Sequence, residues 1–363
     1  MENKIIQFIE ENGYIYIKID NEKSLKTIYD LYFHEITYDD LEPIELLYYG
    51  LYFGHKGNEE KQTQYYLMAI EKGESNAMNN LGHYYLKKGE KDLCVKYFSM
   101  STKKDNQFAM YNLGYYYNQE KDYDNSVKWY LKAIEYDNVL AMANLGVYYN
   151  SIGKFDDALK YLHMAYNHGY MKVLCSLGDV YMMKGDTENM LKYMNIGCDN
   201  NMSDTMWYLG KYFGKIGDKP KMIHYYNMSA EHGESNSMVE LATYYAEKGD
   251  SENMLKYYIM AIDKGNITAM NNLACYYYHV KKDIINTIKY FNMAIKEGNT
   301  TSMMNLGNIY KDCQNEGKSI EYYIMASEHG NEDAKKYLEN YYNTKDDEEF
   351  VKQLQNEYHN QNI

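Results

Sequence analysis

The sequence predicts an all-α fold, an α-solenoid wound as a right-handed superhelix from about nine helix–turn–helix repeats, with a capping segment at each end. Three observations predict it. The phrase "AMNNLGHYY" at 77–85 returns as "AMYNLGYYY" at 109, "AMANLGVYY" at 141 and "AMNNLACYY" at 269, with looser copies between. Apolar residues inside each copy follow the i, i+3, i+4, i+7 spacing that marks one face of an α-helix. Only two prolines, Pro43 and Pro220, interrupt 363 residues rich in Leu, Met, Lys and Glu, which are good helix formers.

Aligned on the Leu of the phrase, the copies fall at Leu81, Leu113, Leu145, Leu177, Leu209, Leu241, Leu273, Leu306 and Leu338. Successive steps are 32 residues, except for one of 33 near "HVKKDII". A fixed period in this range is the mark of stacked repeats. One step back from Leu81 stands Tyr49, with Gly50, Phe53 and Gly57 in register, so the array is expected to start near Glu42.

Within one copy, Met78, Leu81, Gly82 and Tyr85 make the first helix face, and Cys94, Tyr97, Phe98 and Ser101 make the second. The turns carry their own punctuation: "KGDTEN" at 184–189 and "KGDSEN" at 248–253 place Gly at a helix C-terminus and Asp or Ser/Thr at the next N-cap. The Gly82 column, replaced by Ala242 and Ala274, keeps a small residue where the paired helices press together. The Tyr97 column (Trp129, Tyr161, Tyr193, Tyr225, Tyr257, Tyr290, Tyr322) is aromatic throughout and reads as core, with hydroxyls reaching partners at helix edges. Met190, Met222 and Met254 read as adaptable core filler. Residues 1–41 form a separate segment, with a β-hairpin signal around Asn12-Gly13 and a helix expected from about Glu22 to His34. The repeat array is expected over 42–343, and 344–363 as a capping helix and tail around Phe350, Val351 and Leu354.

The pattern Met-x-x-Leu-Gly-x-x-Tyr, then small-x-x-x-aromatic, resembles the tetratricopeptide signature. Met78, Leu81, Gly82 and Tyr85, then Cys94, Phe98 and Ser101, carry it in one copy. Two departures stand out: the period is 32 rather than about 34, and no Pro closes the repeat. Gly closes many copies instead (Gly73, Gly169, Gly233, Gly265, Gly298, Gly330), in "A-x-x-G" phrasing similar to Sel1-like repeats. The Gly-rich insertion that Sel1-like repeats carry between their helices is missing. The array is therefore intermediate, Sel1/tetratricopeptide-like. The resemblance implies a non-enzymatic protein-interaction scaffold, its first helices lining a concave surface that binds a peptide or protein partner. The alternative it implies is an adaptor or substrate-recognition subunit of a protein-modifying, ubiquitin-ligase-like complex.

Composition narrows the partners. Net charge is −14 and Arg is absent, so every basic side chain is Lys or His. Bidentate phosphate gripping is Arg chemistry and nucleic-acid binders show a basic face, so nucleic acid and anionic membrane are not expected partners. Five scattered cysteines without a CxxC argue for a reduced, intracellular and cytoplasmic setting. The start, "MENKIIQFIEEN", carries no signal-peptide pattern. No HExxH, phosphate loop or GxSxG occurs, His163 and His168 point to different helical faces, and the cysteines recur at no repeat position. No catalytic residue, metal site or cofactor is expected.

Columns that stay constant build a scaffold, and columns that vary can be shaped for a partner. On the first helices the stripe opposite the core holds Asn80, Asn112, Asn144, Asn272 and Asn305. In tetratricopeptide domains a matching Asn often bonds a bound peptide's backbone; here the same amides could equally satisfy polar groups between neighbouring repeats. Apolar positions on that side are Phe108, Tyr111, Tyr115, Leu140 and Val147, with Trp207 and Tyr208 as a second aromatic point and His83 beside Asn80. Aromatic anchors of this kind are typical hot-spot residues. The carboxylate clamp of the family is not expected, because Asn79 and His83 stand where it wants Lys and Asn.

Overall fold

A computed structural model describes residues 41–344, which form nineteen α-helices joined by short turns, with no strand among the described residues. The hairpin and helix expected before Leu41 and the capping helix around Phe350 lie outside them. The chain divides into two compact units, one ending at Thr187 and one beginning at Glu188.

In the first unit the helices are α1 (Pro43–His55), α2 (Glu59–Glu71), α3 (Ser75–Lys87), α4 (Lys91–Thr102), α5 (Gln107–Gln119), α6 (Tyr123–Ile134), α7 (Val139–Ser151), α8 (Phe155–Asn167) and α9 (Leu174–Met183). A 3-10 turn at Met171–Val173 leads into α9. The second unit holds α10 (Thr187–Asp199), α11 (Ser203–Lys215), α12 (Lys219–Glu231), α13 (Ser235–Glu247), α14 (Ser251–Asp263), α15 (Ile267–Tyr276), α16 (Ile284–Lys296), α17 (Thr300–Asp312), α18 (Glu316–Glu328) and α19 (Glu332–Thr344).

Each repeat is closed by its small residue. A β-carbon built on Gly82 would lie 2.6 Å from the Phe98 ring, and the same clash recurs at Gly114 against Tyr130 (2.6 Å) and Gly210 against Tyr226 (2.4 Å). The second helix therefore rests a bulky side chain on the bare backbone of the first. Phe98, Tyr130, Leu81 and Leu113 are buried as a result. In α6 and α18 a serine tightens this contact: Ser126 Oγ donates to Gly114 O at 2.8 Å, and Ser319 Oγ to Gly307 O at 2.9 Å.

The aromatic column is less buried than the sequence suggests. Tyr97 stacks on Tyr85 (centroids 5.5 Å apart, 9° between planes), Tyr225 on Phe213 (5.4 Å, 3°) and Tyr257 on Tyr245 (5.7 Å, 4°). Tyr97 and Tyr161 are buried, but Tyr225, Tyr257 and Tyr290 are only half-buried. These rings pair near the turn of each helical hairpin, where one edge meets water and a hydroxyl can bond outward. Tyr257 OH does so, donating to Asn227 Oδ1 at 2.8 Å.

Every one of the eighteen turns between described helices contains one residue of positive φ. Gly89 (φ +76°) is typical: Glu90 N–H returns to Tyr85 O at 2.9 Å, the closure of a Schellman motif. At six turns a non-glycine residue takes this conformation, Lys121 (φ +61°) among them, where a β-carbon crowds the backbone. The expected N-caps form as well; Asp250 accepts from Asn253 N at 3.1 Å.

The single 33-residue step is absorbed in one place. After α15 the chain makes a π-helical turn, Tyr277–Lys281, then Lys282 at φ +54°, and Asp283 N–H reaches Tyr277 O at 3.0 Å. Register is recovered at once, since Tyr277 stacks on Tyr290 at 5.6 Å and 7°. A wider turn places an extra residue without dislodging the pair.

Two outcomes follow for stability. Gly146→Leu pushes side-chain atoms into Leu162, whose Cγ lies 2.6 Å and backbone N 3.1 Å from a β-carbon at 146, and should cost about 1–3 kcal/mol in denaturant unfolding. Lys121→Gly should do the opposite, raising stability by about 0.5–1 kcal/mol; an unchanged or lowered midpoint would show that its turn carries no strain.

Candidate functional site

The stripe beside the packed face holds Phe108, Tyr111, Asn112 and Tyr115 on α5 and Leu140, Ala143, Asn144 and Val147 on α7, with Asn112 and Ala143 themselves buried. Tyr115 is 43% exposed and Val147 47%, at equivalent positions of consecutive first helices. Both follow from helical spacing, because they sit two residues beyond buried Leu113 and Leu145 and point off the packed face. Phe108, Tyr111 and Leu140 are half-buried beside them, and the Tyr111 ring lies 6.4 Å from Tyr115 and 6.0 Å from Tyr130.

The asparagine column bridges neighbouring repeats. Asn112 is buried, and its Nδ2 donates to Asn79 Oδ1 at 2.8 Å and to His83 Nε2 at 2.9 Å. Asn144 Nδ2 donates to Tyr111 OH at 3.3 Å and Tyr130 OH at 3.4 Å, and Asn305 Nδ2 to Asn271 Oδ1 at 3.1 Å. Asn80 and Asn272 instead accept from the preceding Asn79 and Asn271, at 3.5 and 3.4 Å. Of the two roles the sequence left open for this column, linking adjacent first helices is the one these bonds perform. Asn144, read from the sequence as clear of the packing, is half-buried and part of a rung.

A second rung starts from the helix N-caps. Asn106, the N-cap of α5, accepts from Phe108 N and Ala109 N while its Nδ2 donates to Ser75 Oγ (3.2 Å) and Asn76 Oδ1 (3.0 Å) on the previous first helix. Asn266 repeats this against Ser235 and Asn236. The signal was in the sequence: Asn stands three residues before the Ala of the phrase at 106, 138 and 266, and three before the equivalent Ser302 at 299.

In the second unit, Trp207 and Tyr208 on α11 are half-buried. Lys211 Nζ lies 4.4 Å from the Trp207 ring centroid and covers it, and the indole Nε1 is buried with no hydrogen-bond partner among the described residues. Trp207 is thus shielded, whereas Tyr115 is exposed.

Groups with chemical potential are dispersed. Cys94 is buried, and desolvation pushes its thiol up to about 11, away from the thiolate a nucleophile needs. Among the described residues no group of three or more His, Cys, Asp or Glu side chains could hold a metal ion. No described helix is long and apolar enough to cross a membrane.

His83 is the one site residue with a clear titration consequence. Burial is the main cause lowering its pKa, with Lys87 adding to it and the Asn112 bond opposing. Burial disfavours the charged ring, so the unfolded chain binds the proton more readily. Stability from this group is therefore full above the unfolded value of about 6.5 and is lost as pH falls below it. His83→Gln should flatten that part of a stability–pH curve; an unaltered slope would mean the ring is not buried neutral.

Tetratricopeptide-repeat models match residues 75–100 and 109–140, and 139–166; the Sel1-repeat model matches 203–234, 267–299 and 302–331. A Sel1 repeat protein from Oxalobacter formigenes is similar in fold, with a TM-score of 0.56 and 16% identity over 81% of this chain and 96% of that one. The protective antigen c5321 of uropathogenic Escherichia coli strains, which displays an SLR fold, aligns with a TM-score of 0.47 and 20% identity over 89% of this chain and 78% of its own. No curated protein matches the sequence. The 32-residue ladder, the helical hairpins and the tetratricopeptide- and Sel1-repeat model matches together make the chain a Sel1- and tetratricopeptide-type helical repeat protein.

Proposed function

We propose that the chain is a non-enzymatic interaction scaffold whose protein or peptide partner docks on the concave, first-helix face at α5 and α7. The observation that carries this is the exposure of Tyr115 and Val147 side by side on consecutive repeats. Large apolar groups held out of the core on a rigid surface favour a partner that covers them. Repeat folds of this type serve protein–protein interaction, and here the constant columns already supply the packing. Tyr115 and Val147 take no part in the Asn112 and Asn144 rungs, so changing them leaves the stacking intact.

The test compares Tyr115→Ala plus Val147→Ser with Lys128→Ala plus Lys160→Ala, two exposed lysines on the second helices. Asn144 is left alone because of its bonds to Tyr111 and Tyr130. Both variants should melt like the parent. The first should reduce recovery of the partner by about tenfold or more, as expected for a hot-spot pair, and the lysine variant should not. Loss of binding in the lysine variant alone would move the working face to the second helices.

A further inference from the structure

One quarter of the residues in this chain are charged, yet α5 (QFAMYNLGYYYNQ) and α7 (VLAMANLGVYYNS) contain no Asp, Glu, Lys or His at all. Charge resumes just past their ends, at Asp105, Glu120, Asp137 and Lys154. In the second unit α15 is also uncharged, but its neighbours α13 and α17 carry Glu240, Glu247, Lys311 and Asp312. Adjacent uncharged first helices therefore coincide with the exposed Tyr115 and Val147.

We infer that this strip recognises an uncharged peptide segment with a bulky aliphatic or aromatic anchor and excludes charged ones. The inference rests on the proposed docking face. A charged side chain brought onto it would lose hydration and find no opposite charge on α5 or α7 themselves, an unfavourable exchange. A neutral segment loses only the hydration of its backbone amides, which need partners. Asn150 offers one. It lies three residues beyond Val147 on the same stripe, half-buried, and its Oδ1 is buried without a hydrogen-bond partner among the described residues. Rotated outward, that oxygen accepts a backbone N–H beside the anchor.

Selection of a random-peptide display library on the full-length chain tests this, with the Tyr115→Ala plus Val147→Ser variant as counter-target. Enriched peptides should share an uncharged core around one bulky apolar residue. A synthetic copy should bind with less than about twofold change between about 50 and 500 mM salt and lose about tenfold on the variant. Val147→Lys should weaken the same peptide by a similar factor. If the enriched peptides are charged and salt-sensitive yet still depend on Tyr115 and Val147, neutral recognition is overturned and the docking face stands. If no enriched peptide depends on those two residues, the docking face itself is overturned.

Discussion

Phe98 lies so near the backbone of Gly82 that a β-carbon there would sit 2.6 Å from its ring, and Tyr130, Leu162, Tyr226 and Tyr323 meet Gly114, Gly146, Gly210 and Gly307 in the same way. That close approach fixes the spacing of the two helices in each repeat, and with it which side chains are inside. It also explains why so few columns are constant. Once a ring or a leucine rests on bare backbone, the remaining core needs only apolar volume, which Met and Tyr supply interchangeably. Where Ala242 and Ala274 stand in the glycine slot, both are themselves fully buried opposite Tyr258 and Phe291, so the constraint is a small residue rather than glycine alone.

Neighbouring repeats are joined by different means. Apolar clusters run from one helical hairpin to the next, and polar rungs cross between first helices from Asn106, Asn112, Asn144, Asn266 and Asn305. Because these rungs use the edge of the stripe nearest the core, they leave its crest for other work. At α5 and α7 the crest is apolar and neutral; at α11 it is an indole beneath a lysine. One scaffold thus presents different surfaces along its length without altering its packing.

Much of this was legible in the sequence. The period, the helix pairs, the small slot and the turn glycines all follow from spacing, because each depends on contacts within one repeat. Lys121 and Asp137 in left-handed turns were predictable from register alone, since glycines occupy the same slots in other copies. Which of its two possible roles Asn112 plays was not legible, because its partners Asn79 and His83 come from another repeat and their meeting depends on how helices stack. The same holds for the half-buried tyrosine stacks, the bridging amide of Asn106 and the orphaned oxygen of Asn150. The extra residue near "HVKKDII" was visible; that it becomes a π-helical turn and leaves Tyr277 in register was decided by the stack with Tyr290.

The central claim is that variable columns on the first helices of α5 and α7 face the partner, while the second helices do not. Photocrosslinking from single benzoylphenylalanine substitutions in the full-length chain addresses it most directly. Substitution at Tyr115 or Val147 should yield a covalent adduct with another protein, and substitution at the exposed Lys128 or Lys160 should yield none. Adducts from Lys128 and Lys160 with silence at Tyr115 and Val147 would contradict the account.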